Sequence, residues 1–260
     1  MTETESTPEA QKPVVYVYGM VPADVEVNPG ATGIGSPPRP LDVVTYEDVA
    51  ALVSEIDADA PLGTPADLRA HATVLDSTAA VAPVLPLRFG AVLTDTEAVV
   101  AELLEPYRDE FRSALDQLEG SVEYMVKGRY VEDAILREIL ADDPEAQRLR
   151  EAIRDKPEDA AREERLALGE LISNSVVARR ERDTARMAEA VDDIATAVNV
   201  REPTHEEDAG SVAVLLPADR VDDLDRALEP LIEEWEGRVE VTVSGPLAAY
   251  DFVKTRTPGS

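Results

Sequence analysis

The residues to weigh first for chemistry are His71, Asp76 and Ser77. A His–Asp–Ser set can activate a hydroxyl only when three separate supports aim the groups at one another. These three fall within seven residues of one expected helix, so the spacing predicts a structural role for His71. His205 lies in an acidic loop and reads as solvated. Gly30-Ala31-Thr32-Gly33-Ile34-Gly35 has the glycines of a phosphate loop. It lacks the Lys-Ser/Thr, however, and runs into Ser36-Pro37-Pro38 rather than a helix, so it reads as a flexible loop. Asp57-Ala58-Asp59 lacks the glycine and distal glutamate of a calcium loop. Carboxylate pairs occur at every spacing because 54 of 260 residues are acidic, so no pair stands out. With no cysteine in the chain, disulfides, thiolate nucleophiles and zinc–thiolate sites are excluded. No catalytic, cofactor-binding or metal-binding constellation emerges.

One basic residue is conspicuous by its neighbours. Arg88 is the single charge in Ala82-Pro83-Val84-Leu85-Pro86-Leu87-Arg88-Phe89-Gly90-Ala91-Val92-Leu93. Val and Leu between chain breakers favour a strand, and two prolines confine it to a sheet edge or a kinked entry. Arg88 then either points to water from a half-exposed strand or serves as a structural or partner-binding group. Burying it unpaired would cost several kcal/mol.

The elements around these residues follow from periodicity. Val14–Tyr18 and Leu41–Thr45 read as strands. Tyr46–Ile56 reads as a helix, with Val49, Leu52, Val53 and Ile56 on one face. Thr64-Pro65 is a cap and first-turn pair opening a helix to about Ala80, with Leu68, Ala72 and Leu75 inward. Thr94 caps a helical segment to Leu104, and Pro106 restarts one to Gly120. Val122–Tyr130 alternates, which places Glu123, Lys127 and Arg129 outward. Residues 132–156 are helical. Residues 158–198 form one helical pattern, about 60 Å long if unbroken. Its stripes, Leu168/Leu171/Ile172/Ser175 and Met187/Val191/Ile194/Val198, flank a charged run, Arg179-Arg180-Glu181-Arg182-Asp183, that reads as solvated. After a polar loop, Ser211–Leu216 is a strand. Pro217–Trp235 is a helix with Val221, Leu224, Leu228, Leu231 and Ile232 inward, and Val239–Val243 is a strand. The expected fold is α+β. Each of two domains is a modified ferredoxin-like sheet-and-helix unit, at 13–120 and 121–255, with the helical arm 158–198 in the second and tails at 1–12 and 256–260.

Composition limits the partners. The net charge is −29, with four lysines among 25 basic residues. This opposes sequence-independent binding to nucleic acid or anionic lipid. The acids spread along the whole chain, which fits adaptation to molar salt. No apolar run approaches the roughly 18 residues of a membrane span, and Met1–Lys12 lacks a basic leader region, so a cytoplasmic placement is expected.

Three stretches carry a resemblance. Tyr16-Val17-Tyr18-Gly19 comes first, and Leu85-Pro86-Leu87-Arg88-Phe89-Gly90 follows, preceded by His71 and Val74-Leu75. Gly245-Pro246 with Tyr250-Asp251-Phe252-Val253 comes last. In this order they resemble the gas vesicle protein F/L family over residues 14–253. Leu247, Ala248 and Ala249 stand where the family often has proline or aromatic residues. The resemblance implies an accessory or minor shell-associated protein in the assembly of gas vesicles. Its partners would be the small hydrophobic shell protein and other accessory gas vesicle proteins, with no catalysis and no cofactor. Pro86, Arg88, Phe89, Gly90, Gly245, Pro246, Tyr250 and Phe252 are the candidate structural or interface residues. The acidic, lysine-poor composition agrees with a haloarchaeal system. The alternatives are a ligand-binding regulatory α+β module with a small-molecule pocket, or an enzyme whose site escapes motif inspection. A pocket with convergent polar groups would favour these two.

Overall fold

The computed structural model describes residues 13–59 and 61–253; the expected tails at 1–12 and 256–260 lie outside them. The chain divides into two compact units. Among the described residues the first comprises 13–59, 61–122 and 246–253, and the second 123–245. Pro246–Val253, expected with the second half, therefore belongs to the first unit.

In the first unit, β1 (Pro13–Pro22) is central and buried from Val15 to Val21. It pairs antiparallel with β3 (Val49–Asp57), which pairs with β2 (Asp42–Tyr46). Its other edge takes two short pieces, β4 (Leu85–Pro86) at Gly19 and Met20, and β5 (Val92–Leu93) at Val15 and Tyr16. The order β2-β3-β1-β4 is that of a ferredoxin-like sheet. A loop, not a helix, makes the first crossover. The Ala82–Leu93 stretch is thus an edge, as its prolines require.

Expected as a helix, Val49–Asp57 is instead strand β3. Val49, Leu52, Val53 and Ile56 fit the helical period. Yet Ala50, Ala51 and Ser54 between them are also fully buried, because both faces of this strand are covered. Helix α1 (Pro65–Ala79) opens with a reciprocal capping box between Thr64 and Asp67. Its inward stripe is Asp67, His71, Val74 and Leu75, while Leu68 is 49% exposed. The helix is rotated from the expected face because its polar members find partners inward: Tyr16 of β1 bonds His71, and Thr64 and the Gly35 N–H bond Asp67. Asp95, rather than Thr94, caps the next segment through its bond from the Ala98 N–H. One helical turn, α2 (Thr96–Ala98), leads through a π-helical stretch at Val99–Leu104 into α3 (Glu105–Leu118) without the break expected at Pro106.

The second unit repeats the sheet order. Strands β6 (Ser121–Tyr130), β7 (Ala197–Val200), β8 (Asp208–Pro217) and β9 (Val239–Leu247) lie in the order β7-β8-β6-β9. Helices α4 (Glu132–Asp142), α5 (Pro144–Ile153) and α6 (Arg162–Asp192) form the first crossover, and α7 (Val221–Glu234) forms the second. The arm is shorter than expected. Its 31 residues span about 46 Å, a short 3-10 turn precedes it, and Val198 belongs to β7.

Three exposure expectations also change. Glu123 is buried rather than outward, and Ile232 is 43% exposed rather than inward. In the charged run, Arg179 and Asp183 are buried. Arg179 pairs with Glu138 at 2.8 Å and Asp142 at 2.9 Å. Arg238 pairs with Glu138 at 2.6 Å and Asp183 at 2.8 Å, and the Tyr130 hydroxyl donates to Asp183 at 2.7 Å. This network joins β6, α4, α6 and the turn before β9. Trp235 is fully buried beside it, and Arg186 and Arg238 lie 5.6 and 6.0 Å from its ring centre.

Candidate functional site

The first unit brings residues from each quoted stretch, Tyr16 and Tyr18, Leu87 and Phe89, and Tyr250, to one point, the imidazole of His71. Three elements place it there. Helix α1 turns it inward, β1 supplies tyrosines, and the 87–91 turn between β4 and β5 closes over it. Leu87 N–H donates to Tyr18 O, and Val17 N–H donates to Ala91 O, both at 2.9 Å, which pins the two ends of that turn to β1.

The polar partners fix the tautomer. His71 Nε2 lies 3.2 Å from the Leu87 carbonyl, which can only accept, so Nε2 carries the proton. Nδ1 is then the acceptor, and the Tyr16 hydroxyl donates to it at 2.9 Å. That hydroxyl accepts in turn from Gly90 N–H at 3.2 Å. The Tyr250 hydroxyl lies 3.1 Å from Nε2 and 3.4 Å from the Leu87 carbonyl. Around the ring, Tyr18 stacks at 5.7 Å and Phe89 approaches edge-on at 5.6 Å. Burial holds the His71 pKa below its ordinary value, partly opposed by the Leu87 carbonyl, so the ring is neutral. Burial raises the pKa values of Tyr16, Tyr18 and Tyr250, which keeps all three hydroxyls protonated.

A second ring of contacts surrounds this core. The Tyr18 hydroxyl donates to Ser54 Oγ at 3.1 Å and accepts from Ile34 N–H at 2.8 Å. The Ser54 hydroxyl donates to the Pro40 carbonyl at 2.8 Å. Expected as a flexible loop, the Gly30–Gly35 stretch is therefore tied to the sheet, with Ile34 fully buried. A Cβ at Gly33 would sit 1.8 Å from the Tyr18 hydroxyl, so only glycine fits. Asp76, on α1, accepts from Ala248 N–H at 2.9 Å and anchors the C-terminal segment; burial raises its pKa.

The eight candidate residues separate. Pro86 ends β4 and is buried. Phe89, Gly90 and Tyr250 belong to the cluster; Gly90 has φ +99°, which favours glycine. Arg88 is exposed on the same turn and has no ion-pair partner among the described residues. Gly245 is elsewhere, in the second unit, where a Cβ would lie 2.4 Å from the Tyr124 ring. Pro246 follows it in β9. Phe252 is half-buried, with its N–H on the Ala249 carbonyl at 3.3 Å. Ser54 is named by no motif; Tyr16 and Tyr18 stand in the first signature stretch and Asp76 near His71, but none was among the eight candidates. The available signal was the pair of inward tyrosines in β1 opposite an inward histidine.

Both ring nitrogens of His71 are engaged, and every hydroxyl named above has a partner. The arrangement offers no spare ligand atom for a metal and no poised nucleophile. It can hold four separate chain segments together.

The family model described as "Gas vesicle synthesis protein GvpL/GvpF" matches residues 14–254, which include all of those segments. The chain belongs to this family. It is 35% identical over 242 residues to Gas vesicle protein F of Streptomyces sp. (strain CB03234), covering 92% of this chain and 99% of the relative. Two crystal structures share its fold. GvpF from Anabaena sp. PCC7120 superposes with a TM-score of 0.78 at 24% identity, covering 94% of this chain and 99% of that one. GvpF from Microcystis aeruginosa gives 0.73 at 22%, covering 92% and 98%. For this GvpL/GvpF-family chain a role in gas vesicle assembly follows.

Proposed function

We propose that this chain acts by binding, holding the hydrophobic shell protein and other accessory gas vesicle proteins while the vesicle forms, either as a scaffold or as a minor shell component. The observation that carries this is the convergence of the signature stretches on a buried, mutually satisfied cluster. Residues that in an enzyme would surround a substrate here hold the scaffold together, so the activity falls to the outer surfaces. Arg88, exposed on the signature turn, is the interface candidate among the eight. A shell protein that polymerises into a wall exposes apolar surface before assembly, and a highly charged companion keeps it dispersed. The work would take place in the cytoplasm and on the vesicle. The carboxylate excess suits a salt-rich interior such as a haloarchaeon's, although the relatives above come from Streptomyces and cyanobacteria.

The test is expression of a gas vesicle gene cluster in high salt with and without this chain. Deletion should abolish vesicles, and the chain should co-purify with the shell protein or an accessory partner. Normal vesicles without it, and no co-purifying partner, would overturn the proposal and favour a ligand-binding module.

A further inference from the structure

A groove of about 430 Å3 lies in the first unit, away from the His71 cluster. Three stretches wall it: the turn after β1, the Val81-Ala82-Pro83 link between α1 and β4, and the face of α3. Apolar side chains make up part of its lining: Val81 is 83% exposed, Val25 and Pro83 are half-buried, and Leu115 is buried. Its rim is acidic. Asp24 and Glu26 stand on one side, Asp116 and Glu119 on the other. The one cation there, Arg112, pairs with Asp116 at 2.5 Å. Four acids less one arginine leave −3, and Asp24, Glu26 and Glu119 have no ion-pair partner among the described residues.

From this we infer that the groove docks a segment of a partner protein that presents apolar side chains flanked by lysine or arginine. Val81, Val25 and Pro83 take the hydrophobic side chains, and the three unpaired carboxylates take the cations. A small molecule fits poorly, since small-ligand sites enclose most of their ligand and this groove lies open. A second copy of the chain would bring −29 against −29, so at about 0.1 M salt like-charge repulsion opposes it. The inference deepens the assembly reading by giving the chemistry of one partner segment, and rests on it. The two can fail separately, because peptide titration is independent of vesicle formation.

The probe is a fluorescent 14-residue amphipathic peptide of leucine and lysine, titrated into the full chain at about 0.1 M salt. The groove variants are Val81→Asp and the triple Asp24→Asn/Glu26→Gln/Glu119→Gln. A second triple, Glu163→Gln/Glu170→Gln/Glu181→Gln on the exposed face of α6, removes the same charge elsewhere. Both groove variants should weaken binding at least tenfold and the α6 triple less than twofold. A peptide with glutamate in place of lysine should not bind. All the altered residues are exposed, and matching thermal melts confirm folding. Equal weakening by the two triples would mean that the peptide reads only net charge. That result, or unchanged binding by Val81→Asp, would overturn the inference.

Discussion

His71 Nε2 lies 3.1 Å from the Tyr250 hydroxyl across 179 residues of sequence. With the Asp76–Ala248 bond, this contact fastens the C-terminal segment to the helix that carries both anchors. Tyr250→Phe should cost about 1 kcal/mol, since it deletes one hydrogen bond and keeps the ring. His71→Phe should cost more, about 2–4 kcal/mol, because it strands the Tyr16 hydroxyl proton in a buried site. Urea melts of both variants would check the order. Equal losses would mean that the imidazole is packing alone.

Stability should fall in acid in two separable windows. Burial holds the folded His71 pKa below its ordinary 6.5, so the unfolded chain binds the proton more readily. The contribution of His71 is therefore fully present above 6.5 and is lost as pH falls from there through the folded value. Asp208 acts lower. Burial alone would raise its pKa. Lys127 at 3.0 Å and the Thr204 and His205 N–H groups prevail instead, and hold it at about 2 against an ordinary 3.8. That shift is worth roughly 2 kcal/mol, present above pH 3.8 and lost as pH falls towards 2. Denaturant midpoints measured from pH 8 to 2 should show both steps. His71→Phe should remove the upper step, and Asp208→Asn the lower.

Removing one member of the Arg238–Glu138–Asp183 network should be severe. Arg238→Ala leaves Asp183, only 7% exposed at its side chain, without its cation, while Glu138 keeps Arg179. The expected loss is about 3–5 kcal/mol. A thermal melt showing under 1 kcal/mol would mean that water already compensates these charges.

How much of this was legible beforehand depends on where the information lay. Individual strands such as Val14–Tyr18 and Val239–Val243 were legible from their patterns, and the Thr64-Pro65 start of α1 from capping chemistry alone, whereas the sheet order needed β3 and β7, which read as helix. Strand β3 was not legible, because a strand covered on both faces loses its alternation and can mimic the helical period. The buried charges of α6 were half-legible. Arg179, Asp183, Met187 and Val191 form one row at intervals of four, so extending the apolar stripe backwards reaches both charges. Only their partners on α4 and before β9, distant in sequence, make that burial tolerable. The His71 cluster likewise needed the tertiary pairing of β1 with the Leu87–Ala91 turn.

Salt should stabilise the chain. Its 54 acids against 25 bases repel one another, and the Debye length shrinks from about 10 Å at 0.1 M to about 3 Å at 1 M. The melting temperature should rise markedly between 0.1 M and multi-molar KCl. A flat series would remove salt adaptation as the reason for the composition.

Arg88→Ala separates stability from binding. Its exposure removes the stabilising role that a lone arginine among apolar residues would otherwise suggest. A surface residue with no ion-pair partner among the described residues should change stability by less than about 0.5 kcal/mol. Its neighbours Leu87, Phe89 and Gly90 remain held by the His71 cluster, so the turn should keep its shape. The guanidinium then stays available for a planar acceptor on a partner. The expected variant melts like the parent but recovers less of its gas vesicle partner in a pull-down, and Arg88→Lys restores only part of the loss. A variant that folds, melts and binds like the parent would make Arg88 a bystander and move the interface to other surfaces of the chain.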